Sequence, residues 1–170
     1  PFDPTKLERF ERMTMTDLAA KSPGDVETEP LEIIKALFKP DDLICIEGVK
    51  DHTAKMGKVS ELKTVSDSRK FLNPSTFKST EPTDGYRIAR TNDNVDQRCY
   101  MLLERDVKAG DSKPDGQGVY SEEEGIAERE RFNAFCLWLA KYIPLVMAVD
   151  SGSKSVHFWF WCGEWTEEVE

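Results

Sequence analysis

Glu104-Arg105-Asp106, at the end of the apolar run Cys99-Tyr100-Met101-Leu102-Leu103, is the first place where this sequence gathers residues able to do chemistry. Side chains alternate along an extended strand, so Glu104 and Asp106 project from one face and Arg105 from the other. Two carboxylates that close repel each other unless a cation lies between them or one takes up a proton. An apolar strand delivering such a pair is a common way to hold Mg²⁺ or Mn²⁺ for phosphoryl transfer. The same residues also read as a strand running out into solvent, because the acid-x-acid spacing is frequent.

The second constellation is Asp150-Ser151-Gly152-Ser153-Lys154-Ser155-Val156-His157. Small residues leave backbone N–H groups open to an anion, and Lys154 and the hydroxyls add further donors. Ser155 and His157 are two apart, so on a strand they share a face, where the histidine can donate to a phosphate. A solvated hairpin turn followed by a half-buried histidine is the plainer reading. In Phe158-Trp159-Phe160-Trp161, alternation puts Phe158 and Phe160 opposite His157, in the core. Trp159 and Trp161 then share the histidine's face, covering the strand or stacking on a base. His52 has no evident partner and reads as surface. No Walker loop, G-x-S-x-G or H-E-x-x-H occurs, which argues against P-loop NTPases, α/β-hydrolases and zincin proteases.

The elements that must position these residues follow from pattern and punctuation. Thr16 is placed to cap a short helix through Ala20, and Pro30 opens a helix over Leu31–Phe38. Leu43–Ile46 reads as a buried strand, the polar stretch from Glu47 to Ser68 as loop, and Lys70–Leu72 as a strand stopped by Asn73-Pro74. Ser79–Gly85 reads as loop, Tyr86–Arg90 as a short strand and Asn92–Asn94 as a turn. Cys99–Leu103 is the strand carrying the acid pair, and Lys108–Tyr120 is a Gly/Asp/Pro-rich loop. Ser121 and Glu124 have capping-box spacing, and Phe132, Phe135, Cys136, Leu139, Tyr142 and Ile143 recur at helical spacing up to Pro144. Leu145–Val149 and Ser155–Trp161, joined by a tight loop, form an antiparallel hairpin.

With 170 residues, the chain is long enough for one domain with a real core. Hydrophobic residues at 39% and charged residues at 32% make it globular rather than disordered. No apolar run is long enough to span a bilayer and no signal-like stretch opens the chain, so no membrane partner and a cytoplasmic location are expected. Four scattered cysteines without C-x-x-C read as buried free thiols and not as a zinc site. The net charge of −9 opposes a simple nucleic-acid binder. It is uneven, however, with acid at Glu122–Glu124, Glu128, Glu130 and the tail, and base at Arg87, Arg90, Arg98, Arg105 and Lys108.

An apolar strand ending in acid-x-acid, followed after a helix by a hairpin reading Ser-x-His, resembles the archaeo-eukaryotic primase (primase-polymerase) superfamily. Motif I of that family is matched by Leu102-Leu103-Glu104-Arg105-Asp106, and motif II by Ser155-Val156-His157. The phrase Ser151–His157 is closest to phage and mobile-element primases. Leu72-Asn73-Pro74 and the stretch from Arg90 to Val95 also look like segments ahead of motif I, so the resemblance spans roughly residues 40 to 162. It implies that Glu104 and Asp106 are metal ligands, with Mg²⁺ or Mn²⁺ as cofactor. It further implies that His157, with Ser155 and Lys154, holds the nucleotide phosphates in a two-metal transfer.

Motif III of the family is a further carboxylate on a later strand. Only thirteen residues follow His157, and no apolar strand delivers Glu164, Glu167, Glu168 or Glu170. The chain is therefore expected to stop before motif III, as a natural truncation or a split protein, with Trp161 and Trp165 on an exposed edge that favours a partner or self-association. The expected fold is α+β: an N-terminal helical segment over 1–40 and a primase-like core over 41–170, with an N-terminal α/β unit and a partial RRM-like, mostly antiparallel sheet. The expected function is metal-dependent nucleotide polymerisation in phage or mobile-element replication. Its partners would be nucleoside triphosphates, a single-stranded template, and a helicase domain or completing subunit. The alternatives are a catalytically inactive nucleic-acid- or nucleotide-binding module and a metal-dependent phosphodiesterase.

Overall fold

The computed structural model describes residues 4–22, 29–47, 54–65, 71–81, 92–114, 116, 118–151 and 155–163. It is an α+β protein, with helices packed beside antiparallel sheets. The chain divides into two compact units: Pro1–Val26 with Met101–Trp161, and Glu27–Tyr100 with Cys162–Glu170. The N-terminal helical segment is thereby shared, its first helix belonging to one unit and its second to the other. Among the described residues, no helix is long and apolar enough to cross a membrane.

The first unit opens with a 3-10 turn (Pro4–Arg9) and helix α1 (Met15–Ala19). Thr14, not Thr16, caps α1. Its hydroxyl accepts from the Asp17 N–H at 3.2 Å, and the Asp17 carboxylate accepts from the Thr14 N–H at 2.9 Å. A Thr-x-x-Asp pair closes this reciprocal box, whereas Thr16 has no acid at that spacing. Leu7 and Leu18 enter the core, and the Asn133 amide donates to the Met13 carbonyl at 3.0 Å, tying the segment to the long helix α3 (Glu122–Leu139).

Ser121 and Glu124 cap α3 as their spacing predicts, with the Glu124 N–H reaching the Ser121 hydroxyl at 3.2 Å and the Ser121 N–H reaching the Glu124 carboxylate at 2.8 Å. The helix ends at Leu139, short of Pro144, and finishes in a tighter turn in which the Lys141 and Tyr142 N–H groups bond three residues back. That turn removes Tyr142 from the apolar stripe, leaving it exposed against Trp138, while Ile143 still packs on the core. Strands β7 (Leu145–Asp150) and β8 (Val156–Trp161) form the expected antiparallel hairpin. Together with β6 (Tyr100–Leu103), at the start of which the two units divide, they make a sheet in the order β6-β8-β7. Phe158 and Phe160 are fully buried in this unit's core with Phe132, Cys136 and Val156.

The second unit holds α2 (Pro30–Leu37) and strands β1 (Leu43–Glu47), β2 (Ala54–Lys58), β3 (Phe71–Leu72), β4 (Ser75–Phe77) and β5 (Val95–Arg98). The order is β2-β1-β4-β5, with β3 on the β4 side of β1. Asn73-Pro74 separates β3 from β4 along one edge, because proline has no N–H to give the ladder. Asn73 Oδ1 accepts from the Ser75 N–H at 3.0 Å and restarts the strand. Three strands depart from the sequence expectation. Ala54–Lys58 lies in the stretch read as loop, and Ser75–Phe77 and Val95–Arg98 show no apolar run. They are strands because β1, the buried apolar member, offers them pairing partners directly or through β4. The core here is Ile34, Phe38, Ile44, Ile46 and Val59. The strand expected over Tyr86–Arg90 lies outside the described residues, as do His52 and Trp165.

Candidate functional site

Burial shows how the acid pair is presented. Met101 and Leu103 pack on the core beneath α3, and the alternation continues past the end of β6: Arg105 reaches Glu128 of α3 and Val107 is buried. Glu104 and Asp106 occupy the intervening positions and are exposed on the other side. On β8, Val156, Phe158 and Phe160 point into the core, so His157, Trp159 and Trp161 take the opposite face. The Cys162 N–H bonds to the Cys99 carbonyl at 3.1 Å at one end, and Glu104 meets His157 at the other, so β6 and β8 run antiparallel.

The structure thus brings the two constellations together. His157 Nε2 stands 2.8 Å from Glu104 Oε2, within ion-pair distance. The His157 side chain is 24% exposed and that of Glu104 48%, so the pair is open to a ligand. Asp106 leans toward Lys108, with Oδ2 and Nζ 3.6 Å apart. That separation, between partly exposed groups, is a weak tie.

Ser155 is buried at the mouth of the hairpin, where Ser151 Oγ accepts its N–H at 3.1 Å and its carbonyl accepts the Ser151 N–H at 3.0 Å. It borders a cleft of about 270 Å³ also lined by Arg105, Arg129, Asn133 and Asp150. Its hydroxyl is therefore less freely presented than a strand-surface serine would be. Lys154, with the rest of the Gly/Ser loop, lies outside the described residues. Trp159 is buried, which leaves Trp161, 50% exposed, as the aromatic of this face open to solvent.

Arg105 does not belong to a surface basic strip. Its Nε and Nη2 donate to one oxygen of the buried Glu128 at 3.2 and 3.0 Å. By composition Glu128 is only one of the acids that make the charge uneven. It stands four residues before Phe132 and eight before Cys136, on their helix face, and this spacing was the signal available for placing it inside. Arg129, one position on, donates to the Val107 carbonyl. None of the four cysteines is in a disulfide; Cys45 and Cys136 are buried, and Cys99 and Cys162 are partly exposed.

Glu104 and Asp106 suit a hard cation in donor type. Among the described residues, no three His, Cys, Asp or Glu side chains gather closely enough to hold a metal by themselves. Mg²⁺ sites commonly draw only one or two carboxylates from the protein, and two is the number these residues offer. No family model, curated protein or solved structure matches this chain.

Proposed function

We propose that residues 101–161 carry the metal- and nucleotide-binding face of a primase-type nucleotidyltransferase. Glu104 and Asp106 would hold Mg²⁺ or Mn²⁺, and His157, with Lys154 and Ser155, would hold the triphosphate. The observation that supports this reading is the contact of Glu104, just past the end of β6, with His157 on β8, residues far apart in sequence that meet at 2.8 Å. Their order supports it too: acid pair, capped helix, hairpin, histidine.

Cations held by Glu104 and Asp106 would supply Lewis acidity to an attacking hydroxyl and positive charge to a leaving pyrophosphate. The chain's own residues do the positioning. Glu104, beside Nε2, would orient the imidazole and leave Nδ1 facing a phosphate oxygen. The apolar residues Met101, Leu103, Phe158 and Phe160 anchor both strands from below.

Calorimetric titration of Mn²⁺ with a nucleoside triphosphate, on wild type and on Glu104→Ala/Asp106→Ala, tests the assignment. Saturable binding that the double variant loses is expected, and equal binding by both proteins would sink it. Primer synthesis on a single-stranded template then tests polymerisation, while loss of template without synthesis would point to a phosphodiesterase. A binding-only module is the second reading, favoured by the lack of a three-ligand cluster among the described residues. It predicts nucleotide or single-strand binding with no synthesis at any metal concentration.

A further inference from the structure

We infer that Arg105 and Glu128 are positioning residues: their ion pair clamps the segment that follows β6 onto α3 and thereby aims Glu104 and Asp106 away from the core. The inference rests in part on the functional reading above, because it assigns these residues a task in the same site.

β6 ends at Leu103, so no ladder hydrogen bond within it holds residues 104–107. Two contacts to α3 take over. Arg105 sets two guanidinium nitrogens on Glu128 Oε1, with side chains only 25% and 10% exposed. One helical position later, Arg129 donates to the backbone carbonyl of Val107. Gly125 lies on the same helix face, where a Cβ would stand 3.4 Å from that carbonyl oxygen, so the segment runs directly against the helix. The clamp fixes residues 105 and 107, and alternation then dictates where 104 and 106 point.

Stability alone does not account for such a pair. Taking two charges out of water costs much of what their attraction returns, and apolar residues of similar volume hold a strand to a helix equally well. The planar guanidinium adds direction: two donors meeting one oxygen fix the rotation of the Arg105 side chain about its strand, which a methionine or leucine would leave loose. A rotation there swings Glu104 off His157.

The test replaces the pair with apolar residues, Arg105→Met/Glu128→Leu, and also makes the milder Arg105→Lys, which keeps the charge but loses the fork. In each background the coupling between Glu104 and His157 is measured by a double-mutant cycle, using Glu104→Gln and His157→Gln with urea midpoints as the readout. Mn²⁺ affinity in the presence of nucleoside triphosphate is titrated in parallel. The clamp predicts that the apolar double variant folds with an unchanged or higher midpoint yet loses the coupling. It also predicts Mn²⁺ affinity lower by about tenfold to a hundredfold, as when groups that orient metal ligands are removed. Arg105→Lys should lose part of both and gives the reading should the apolar variant not fold. Coupling equal to wild type in the folded variants would overturn the clamp. Coupling that depends on the pair in a protein that binds no Mn²⁺ would keep the clamp and reject the metal site.

Discussion

A carboxylate or an imidazole is ambiguous in a sequence because its chemistry depends on a partner that the local pattern does not name. Glu104 and Glu128 illustrate both outcomes. One is half-exposed beside His157, and the other is buried beneath Arg105. Cys136 is a third case: burial alone pushes its thiol from an ordinary 9.0 up to about 12. The unfolded chain therefore gives up this proton at lower pH than the folded one, so stability is unaffected below about pH 9 and falls as pH climbs toward 12. Cys99 and Tyr100 are also raised, by burial first and then by neighbouring acidic groups, and act in the same direction. Urea unfolding from pH 7 to 11 should show this alkaline loss, with a shallower slope in Cys136→Ala. An identical slope would place the titrating groups elsewhere.

At the level of elements, α3 supports the site from beneath, and its start is fixed by chemistry readable in four residues. Ser121 and Glu124 satisfy each other's N–H groups, and the Lys113 ammonium followed by the Ser121 N–H holds the Glu124 carboxyl below its usual range. Ser121→Ala should cost about 1 kcal/mol of stability, the usual worth of such a cap, measured as a shift in urea midpoint at pH 7. An unchanged midpoint would mean that packing, not the cap, sets this end of the helix. The hairpin was equally legible, since a short Gly/Ser loop between two apolar runs leaves few alternatives. Strands β2, β4 and β5 were not. Ala-Lys-Met-Gly-Lys and Val-Asp-Gln-Arg carry little strand preference of their own, and Ser-Thr-Phe is too short for its Thr and Phe to signal a strand, so pairing in the sheet decides them.

Taken whole, the molecule rests on two separate cores, one for each unit, and the candidate site draws its support from the first. Phe158 and Phe160 are fully buried there, and Phe158 meets Phe132 edge to face with centroids 6.4 Å apart. Phe158→Ala should cost about 3–5 kcal/mol, the range for emptying a buried aromatic position. Against the roughly 5–15 kcal/mol by which domains are held folded, that is enough to unfold much of the population on mild heating. A loss below about 1 kcal/mol in chemical denaturation would show that the space under β8 closes up.

What the sequence by itself determined is what local rules govern: the α3 cap, the stop at Asn73-Pro74, the hairpin, and the alternation that sends Phe158 and Phe160 inward and Glu104 and His157 outward. Those rules act within a few residues and need no knowledge of the rest of the chain. Tertiary structure alone decided that Glu104 lies against His157, that Arg105 and Glu128 are buried together, and that polar segments become strands. Each of these joins groups distant in sequence, and only the packing of strands and helix selects which of many carboxylates, guanidiniums and backbone edges meet.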